Sequence, residues 1–186
     1  MSPETAKLLQ IKEEIEAENP RAIVHVATNP SEALPEVDLI VTATSAAGHK
    51  VLDIERVKPG CVITDVARPL DMSAEDVAKR PDVLVIESGE VELPGEVRMK
   101  DIGLPDRTVY ACLAETIVLA LDGRYENFTV GRSLSWPKVK EIYGLGLKHG
   151  MKLATISGVN GPYTDEDFER VRDAALAARA ESEASS

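Results

Sequence analysis

An α/β fold built on a largely parallel sheet is what the sequence predicts, and three observations predict it. Apolar, β-branched runs recur at residues 37–45, 61–66 and 82–86, at intervals of about 20 residues. Each is separated from the next by a polar turn or a short helical pattern, the spacing of strand, crossover and strand. The first run ends in small and hydroxyl residues, and the second carries Asp65 and Arg68 at its carboxyl end, where a parallel sheet opens on a ligand crevice. Right-handed crossovers then favour a doubly wound, Rossmann-like arrangement.

Residues 5–19 form the first element, a helix with Ala6, Leu8, Leu9, Ile11 and Ile15 apolar and Lys12, Glu13, Glu14 and Glu16 polar, stopped at Asn19-Pro20. Residues 21–28 read as a β-branched strand in which His25 alternates with apolar neighbours, a strand-face histidine rather than a ligand. A short helical turn at 31–36 leads into Val37-Asp38-Leu39-Ile40-Val41, a buried strand that runs out into Thr42, Ala43, Thr44 and Ser45. The strand Cys61-Val62-Ile63-Thr64-Asp65-Val66 ends at Ala67-Arg68-Pro69. That places Asp65, Val66, Ala67 and Arg68 at a carboxyl end, and Cys61 at the opposite, structural end. Ser73 caps a short acidic helix, and residues 81–86 are a further strand. Residues 88–98 break the rhythm with a polar hairpin or irregular excursion.

The segment Tyr110-Ala111-Cys112-Leu113-Ala114-Glu115-Thr116 opens an apolar helix closed by Gly123. At a helix start, free N–H groups and the positive end of the macrodipole favour a thiolate, so Cys112 is a candidate nucleophile. Glu115 and Thr116 share its face, and Glu115 is a candidate acid/base or orienting partner on spacing alone. The competing reading is a small buried apolar residue at the start of a core helix. Further on, Ser133 or Ser135 caps a helix with Pro137 in its first turn, ending at Lys148-His149-Gly150; its internal Gly144 and Gly146 suggest close helix packing. A short strand follows within 151–157, and Thr164 to Asp167 cap an Ala- and Arg-rich helix. The expected organisation is an α/β part that includes the Cys112 helix at 1–132, a helical extension at 133–180 and a disordered tail at 181–186.

Composition narrows the function. With 44% hydrophobic and 28% charged residues, the 186-residue chain is an ordinary globular one, and no apolar run approaches the roughly 18 residues of a membrane span. The net charge of −11 argues against nucleic acid and anionic membrane surfaces as partners. Cys61 and Cys112 form neither a metal spacing nor a disulfide framework, so no metal is expected, and a cytoplasmic setting fits. The motif G-x-G-x-x-G, which holds a dinucleotide pyrophosphate between strand and helix, does not occur.

Four segments, Lys58-Pro59-Gly60-Cys61-Val62-Ile63-Thr64-Asp65-Val66-Ala67-Arg68-Pro69, Tyr110-Ala111-Cys112-Leu113-Ala114-Glu115-Thr116, Gly123-Arg124-Tyr125-Glu126-Asn127-Phe128-Thr129-Val130-Gly131-Arg132 and Lys148-His149-Gly150, occur in the same order as in a known family. Across residues 5–155 the chain resembles the long-chain acyl-[acyl-carrier-protein] reductases that make fatty aldehydes. The resemblance implies NADPH as cofactor, an acyl thioester on carrier protein or coenzyme A as substrate, and Cys112 as the cysteine that takes the acyl group. It places Thr42, Ala43, Thr44, Ser45 and the Asp65, Val66, Ala67, Arg68 turn on the nicotinamide side of the crevice. It also implies an incomplete, truncated Rossmann-like sheet lacking the first strand, the glycine loop and the second strand. In the order 3-2-1-4-5-6 these strands lie between the strands at Ile23 and Val41. The edges left open would be met by a homo-oligomer or by a missing N-terminal part. Two other readings stand beside this one: a non-catalytic remnant or interaction module, and a dehydrogenase of small hydroxy or amino acids.

Overall fold

The computed structural model describes residues 3–44, 50–131 and 134–184. The fold is α/β, with one mixed sheet and a smaller antiparallel sheet. Strands β1 (Leu39–Thr42), β2 (Val62–Asp65) and β3 (Leu84–Glu87) are parallel and in step, with Leu39 beside Val62 and Val62 beside Leu84. The three apolar runs therefore form the parallel half of a Rossmann-like sheet. The antiparallel pair β7 (Ser157–Gly158) and β8 (Gly161–Pro162) extends it beyond β3.

Alternation along each strand divides the sheet by face. Ile63 and Val85 pack with Leu34, Leu52, Ile54, Val57, Met72 and Cys61 in one core, so the crossovers, including α2 (Ala74–Ala78), lie over that face. On the other face of β1, Leu39 and Val41 are each 61% exposed. Helix α1 (Pro3–Glu18) forms as the sequence predicts.

The strand expected at 21–28 does not form. A strand needs a neighbour, and no strand among the described residues pairs with β1 on its outer edge. The backbone of Val24 is met instead by side chains of α1: its N–H donates to Glu16 Oε1 at 3.3 Å and its carbonyl accepts from Lys12 Nζ at 2.5 Å. Lys12, and after it the Val24 N–H, holds the Glu16 carboxyl below its ordinary range.

A second core lies under the smaller sheet. β4 (Glu90–Glu92) pairs with β5 (Thr108–Tyr110) and with β6 (Lys152–Leu153), closing the excursion at 93–107 into a hairpin with a long connection. Helix α3 (Ala111–Leu121) starts where β5 ends, and α4 (Trp136–Lys148) packs beside it. Leu93, Val109, Ala114, Val118 and Met151 are buried together, with Ile142 and Leu145 of α4 against them. The helical extension thus shares its core with the Cys112 helix. Helix α5 (Asp165–Ala184) lies over the amino ends of β2 and β3, where Arg170 Nε donates to the Pro81 carbonyl at 3.1 Å. It runs on through residues expected to begin the tail, with an i,i+4 ion pair between Arg179 and Glu183.

Candidate functional site

The turns that follow β2 and β3 meet the start of α3 through a small set of polar contacts, and the end of β1 is tied to the first of them. At the end of β1, Thr42 is 4% exposed and its hydroxyl has no hydrogen-bond partner among the described residues. Its carbonyl accepts from the N–H of Val66, which ties β1 to the turn after β2. Ala43 is exposed. Thr44 donates from its N–H and its hydroxyl to the two carboxylate oxygens of Asp71, at 3.0 and 2.5 Å. Ser45 lies outside the described residues.

Asp65 ends β2 fully buried. Its oxygens accept from the N–H groups of Ala67 at 3.0 Å and Met72 at 2.9 Å. A buried carboxylate needs such donors, and here they fix the turn that carries Arg68. Of that turn, Val66 is exposed and Ala67 buried. Arg68 then reaches across the sheet: its guanidinium donates to the carbonyls of Ala67 and Ser88 and to Glu90 Oε1, and lies 5.4 Å from the ring centroid of Tyr110.

Tyr110 is the last residue of β5 and the cap residue of α3, and its side chain makes no capping bond. The N–H of Ala111 donates to the carbonyl of Gly89, just beyond β3, at 2.7 Å. Cys112 follows as the second residue of the helix and is exposed. Exposure separates it from the buried-filler reading and from Cys61. The latter is buried, and its thiol is pushed up to about 11, chiefly by burial and then by Asp38.

One turn further along α3, both oxygens of Glu115 accept from the Thr129 hydroxyl, at 2.6 and 2.5 Å, and one also accepts from the Thr129 N–H at 3.3 Å. Glu115 therefore holds the loop that follows Gly123 against the helix. Between helix and loop lies a groove of about 660 Å³ lined by Glu115, Thr116, Leu119, Phe128, Thr129 and Val130 among others. A larger recess of about 940 Å³ is formed by the excursion at 95–108, away from the thiol's end of β5.

The structure thus brings Asp65, Ala67 and Arg68 to the strand ends beside the start of the Cys112 helix, with Thr42 tied to the same turn. Thr44 faces Asp71, and Glu115 faces Thr129. Sequence reasoning missed Ser88, Glu90, Tyr110 and Thr129. Tyr110 and Thr129 belong to segments already singled out, but no periodicity links Thr129 to Glu115 across the helix stop at Gly123. Among the described residues no group of His, Cys, Asp and Glu side chains could hold a metal ion, and no helix is long and apolar enough to cross a membrane.

No family model matches the chain. It is 39% identical over 133 residues to "Aminotransferase PigE" of Serratia sp. (strain ATCC 39006), a stretch that is 70% of this chain and 15% of that protein. It is 28% identical over 126 residues to the long-chain acyl-[acyl-carrier-protein] reductase of Synechococcus elongatus, covering 64% of this chain and 36% of the reductase. The chain therefore spans only part of the curated relatives it matches, and is distantly similar to a reductase.

Proposed function

We propose that this chain is the thioester-handling part of an NADPH-dependent reductase that turns long-chain acyl thioesters, on acyl carrier protein or coenzyme A, into fatty aldehydes. The observation that carries the reading is the exposed thiol of Cys112 in the first turn of α3, at the carboxyl edge of a parallel sheet. Similarity to a long-chain acyl-[acyl-carrier-protein] reductase over 64% of the chain supports it.

In this reading the Cys112 thiolate attacks the thioester carbonyl. A bond forms between its sulfur and the acyl carbon, the bond to the carrier sulfur breaks, and the carrier leaves as a thiol after taking a proton. The Ala111 N–H is committed to Gly89, so the next free N–H groups of the turn serve the developing oxyanion. Arg68, clasped to Ser88, Glu90 and Tyr110, holds the helix start against the strand ends.

The buried, unpartnered hydroxyl of Thr42 fits the polar ring end of a nicotinamide cofactor, and the Asp65 to Arg68 turn would form the adjoining wall. No glycine-rich turn in the sequence matches the pyrophosphate, so the fit extends to one end of the dinucleotide. When bound, the cofactor supplies the hydride that reduces the acyl group.

The test incubates the chain with palmitoyl carrier protein or palmitoyl-coenzyme A, without and with NADPH, for wild type and Cys112→Ala. The wild type is expected to gain one acyl group by intact mass without NADPH and to release aldehyde with it. Cys112→Ala should do neither, and acylation or aldehyde release that survives the substitution overturns the covalent role. The outer edge of β1, unpaired among the described residues, favours a second reading, a non-catalytic interaction module, which predicts no acylation of either protein.

A further inference from the structure

Helix α3 turns Ala114 and Val118 into the second core and sets Cys112, Glu115, Thr116, Leu119 and Ala120 on its other side. The last four follow the thiol at three, four, seven and eight residues, one stripe with Cys112 at its head. Beyond Gly123 the chain folds back along that stripe: the Arg124 N–H donates to the Leu119 carbonyl, and Thr129 reaches Glu115. The groove of about 660 Å³ lies between the helix and this returning loop, on the thiol's own side of α3.

Apolar and polar groups share its lining. Leu119 and Phe128 are 5% and 6% exposed, and the two carboxylates are already held, Glu115 by Thr129 and Glu126 by Arg124 at 2.7 Å. The hydroxyl of Thr116, the side-chain amide of Asn127 and the backbone N–H groups of residues 125–128 have no hydrogen-bond partner among the described residues. A purely alkyl occupant would cover these groups without satisfying them, whereas a chain of amides gives them partners.

We propose that this groove holds the phosphopantetheine arm, the part that acyl carrier protein and coenzyme A have in common, with the thioester sulfur at Cys112. The proposal rests on Cys112 being the nucleophile. The two amides and the hydroxyl of the arm meet Thr116, Asn127 and the loop N–H groups, and its paired methyl groups lie against Leu119 and Phe128. From Cys112 to Ala120 the helix rises about 12 Å. The arm has the bonds of roughly four residues of extended backbone and so reaches about 14 Å. Its phosphate therefore clears the groove near Gly123 and stays in water, which suits a chain of net charge −11, and the carrier protein or nucleotide stands outside.

The test compares octanoyl thioesters of coenzyme A, of carrier protein and of N-acetylcysteamine, the last keeping the sulfur and the nearest amide without the rest of the arm. Acylation of Cys112 in the full chain is timed by intact mass. Wild type should react about tenfold faster or more with either full arm than with the truncated one. Ala120→Phe, which fills the groove from an exposed helix position, should bring both ratios below about threefold, and Thr116→Val should lower them about threefold. Far-UV circular dichroism checks that both variants remain folded. A readout without acylation uses desulfo-coenzyme A, which should slow iodoacetamide labelling of Cys112 about threefold or more in wild type and not in Ala120→Phe. A fall in the ratio for coenzyme A alone makes coenzyme A the source of the arm. Wild-type ratios near one, or ratios that Ala120→Phe leaves in place, overturn the proposal while Cys112 keeps its role. Acylation by none of the three removes the nucleophile, and the proposal with it.

Discussion

Two thiols in one chain meet opposite surroundings. Cys61 sits among the first core's side chains with its thiol raised to about 11, while Cys112 stands in the open at the start of α3. The thiolate is the reactive form, so the two should part cleanly under alkylation. With iodoacetamide at pH 7.5 in native buffer, Cys112 should be modified and Cys61 should react only after denaturation, as read by peptide mass spectrometry. Equal native labelling would contradict the burial of Cys61. The position of Cys112 at a helix start was legible in the sequence because that is a local signal: an apolar run closed by a glycine stop. The partners of Glu115 and Arg68 were not. Thr129 lies beyond the stop at Gly123, and Tyr110 meets Arg68 only because two sheets abut.

Elements formed where the pattern was self-sufficient. The three apolar runs became β1, β2 and β3, and Ser73, Gly123, Pro137 and Gly150 took the capping and stopping positions their chemistry suits. The run at 21–28 has the same composition and stays outside any sheet, because strand identity is conferred by a neighbour and not by the residues alone. Conversely β4 and β5 have weak strand signals, yet pair because the hairpin covers the second core.

At the start of α5 the sequence signal and the structure coincide: Thr164 and Asp167 each donate a backbone N–H to the other's side chain. The Thr164 N–H, and then Arg170 and the Thr164 hydroxyl, pull the Asp167 carboxyl from an ordinary 3.8 down to about 2. The folded value lies below the unfolded one, so the cap stabilises above about pH 4 and is lost as pH falls through 2. Helicity at 222 nm, followed from pH 5 to 2, should show a step in that window that Asp167→Asn removes. A step unchanged in Asp167→Asn would assign it to other carboxylates.

The molecule as a whole is two cores joined along one seam of strand ends, with α5 laid over the amino ends of the parallel strands. Gly60 marks that crossing. It has a φ of +79°, and a Cβ there would come within 2.2 Å of Ala175 Cβ and 2.6 Å of Ala175 Cα. Because backbone as well as side chain is struck, Gly60→Ala forces α5 off the sheet and also strains the turn. The expected loss is about 2–4 kcal/mol of stability, read by urea denaturation. A change under about 0.5 kcal/mol would mean that α5 does not bear on β2.

The outer edge of β1 gives the acidic composition a physical task. Among the described residues no strand pairs with that edge, and the N–H and C=O groups it presents are a template on which an extended chain can grow. Two such molecules approaching edge to edge each carry a net charge of −11. That mutual repulsion is the guard on the edge, and it is colloidal, acting between molecules before any contact forms. Salt shortens its reach to about 3 Å at 1 M, and protonation removes it near the isoelectric point of about 4.8. Association through this edge is therefore expected to be suppressed in dilute neutral buffer and to rise in strong salt or mild acid.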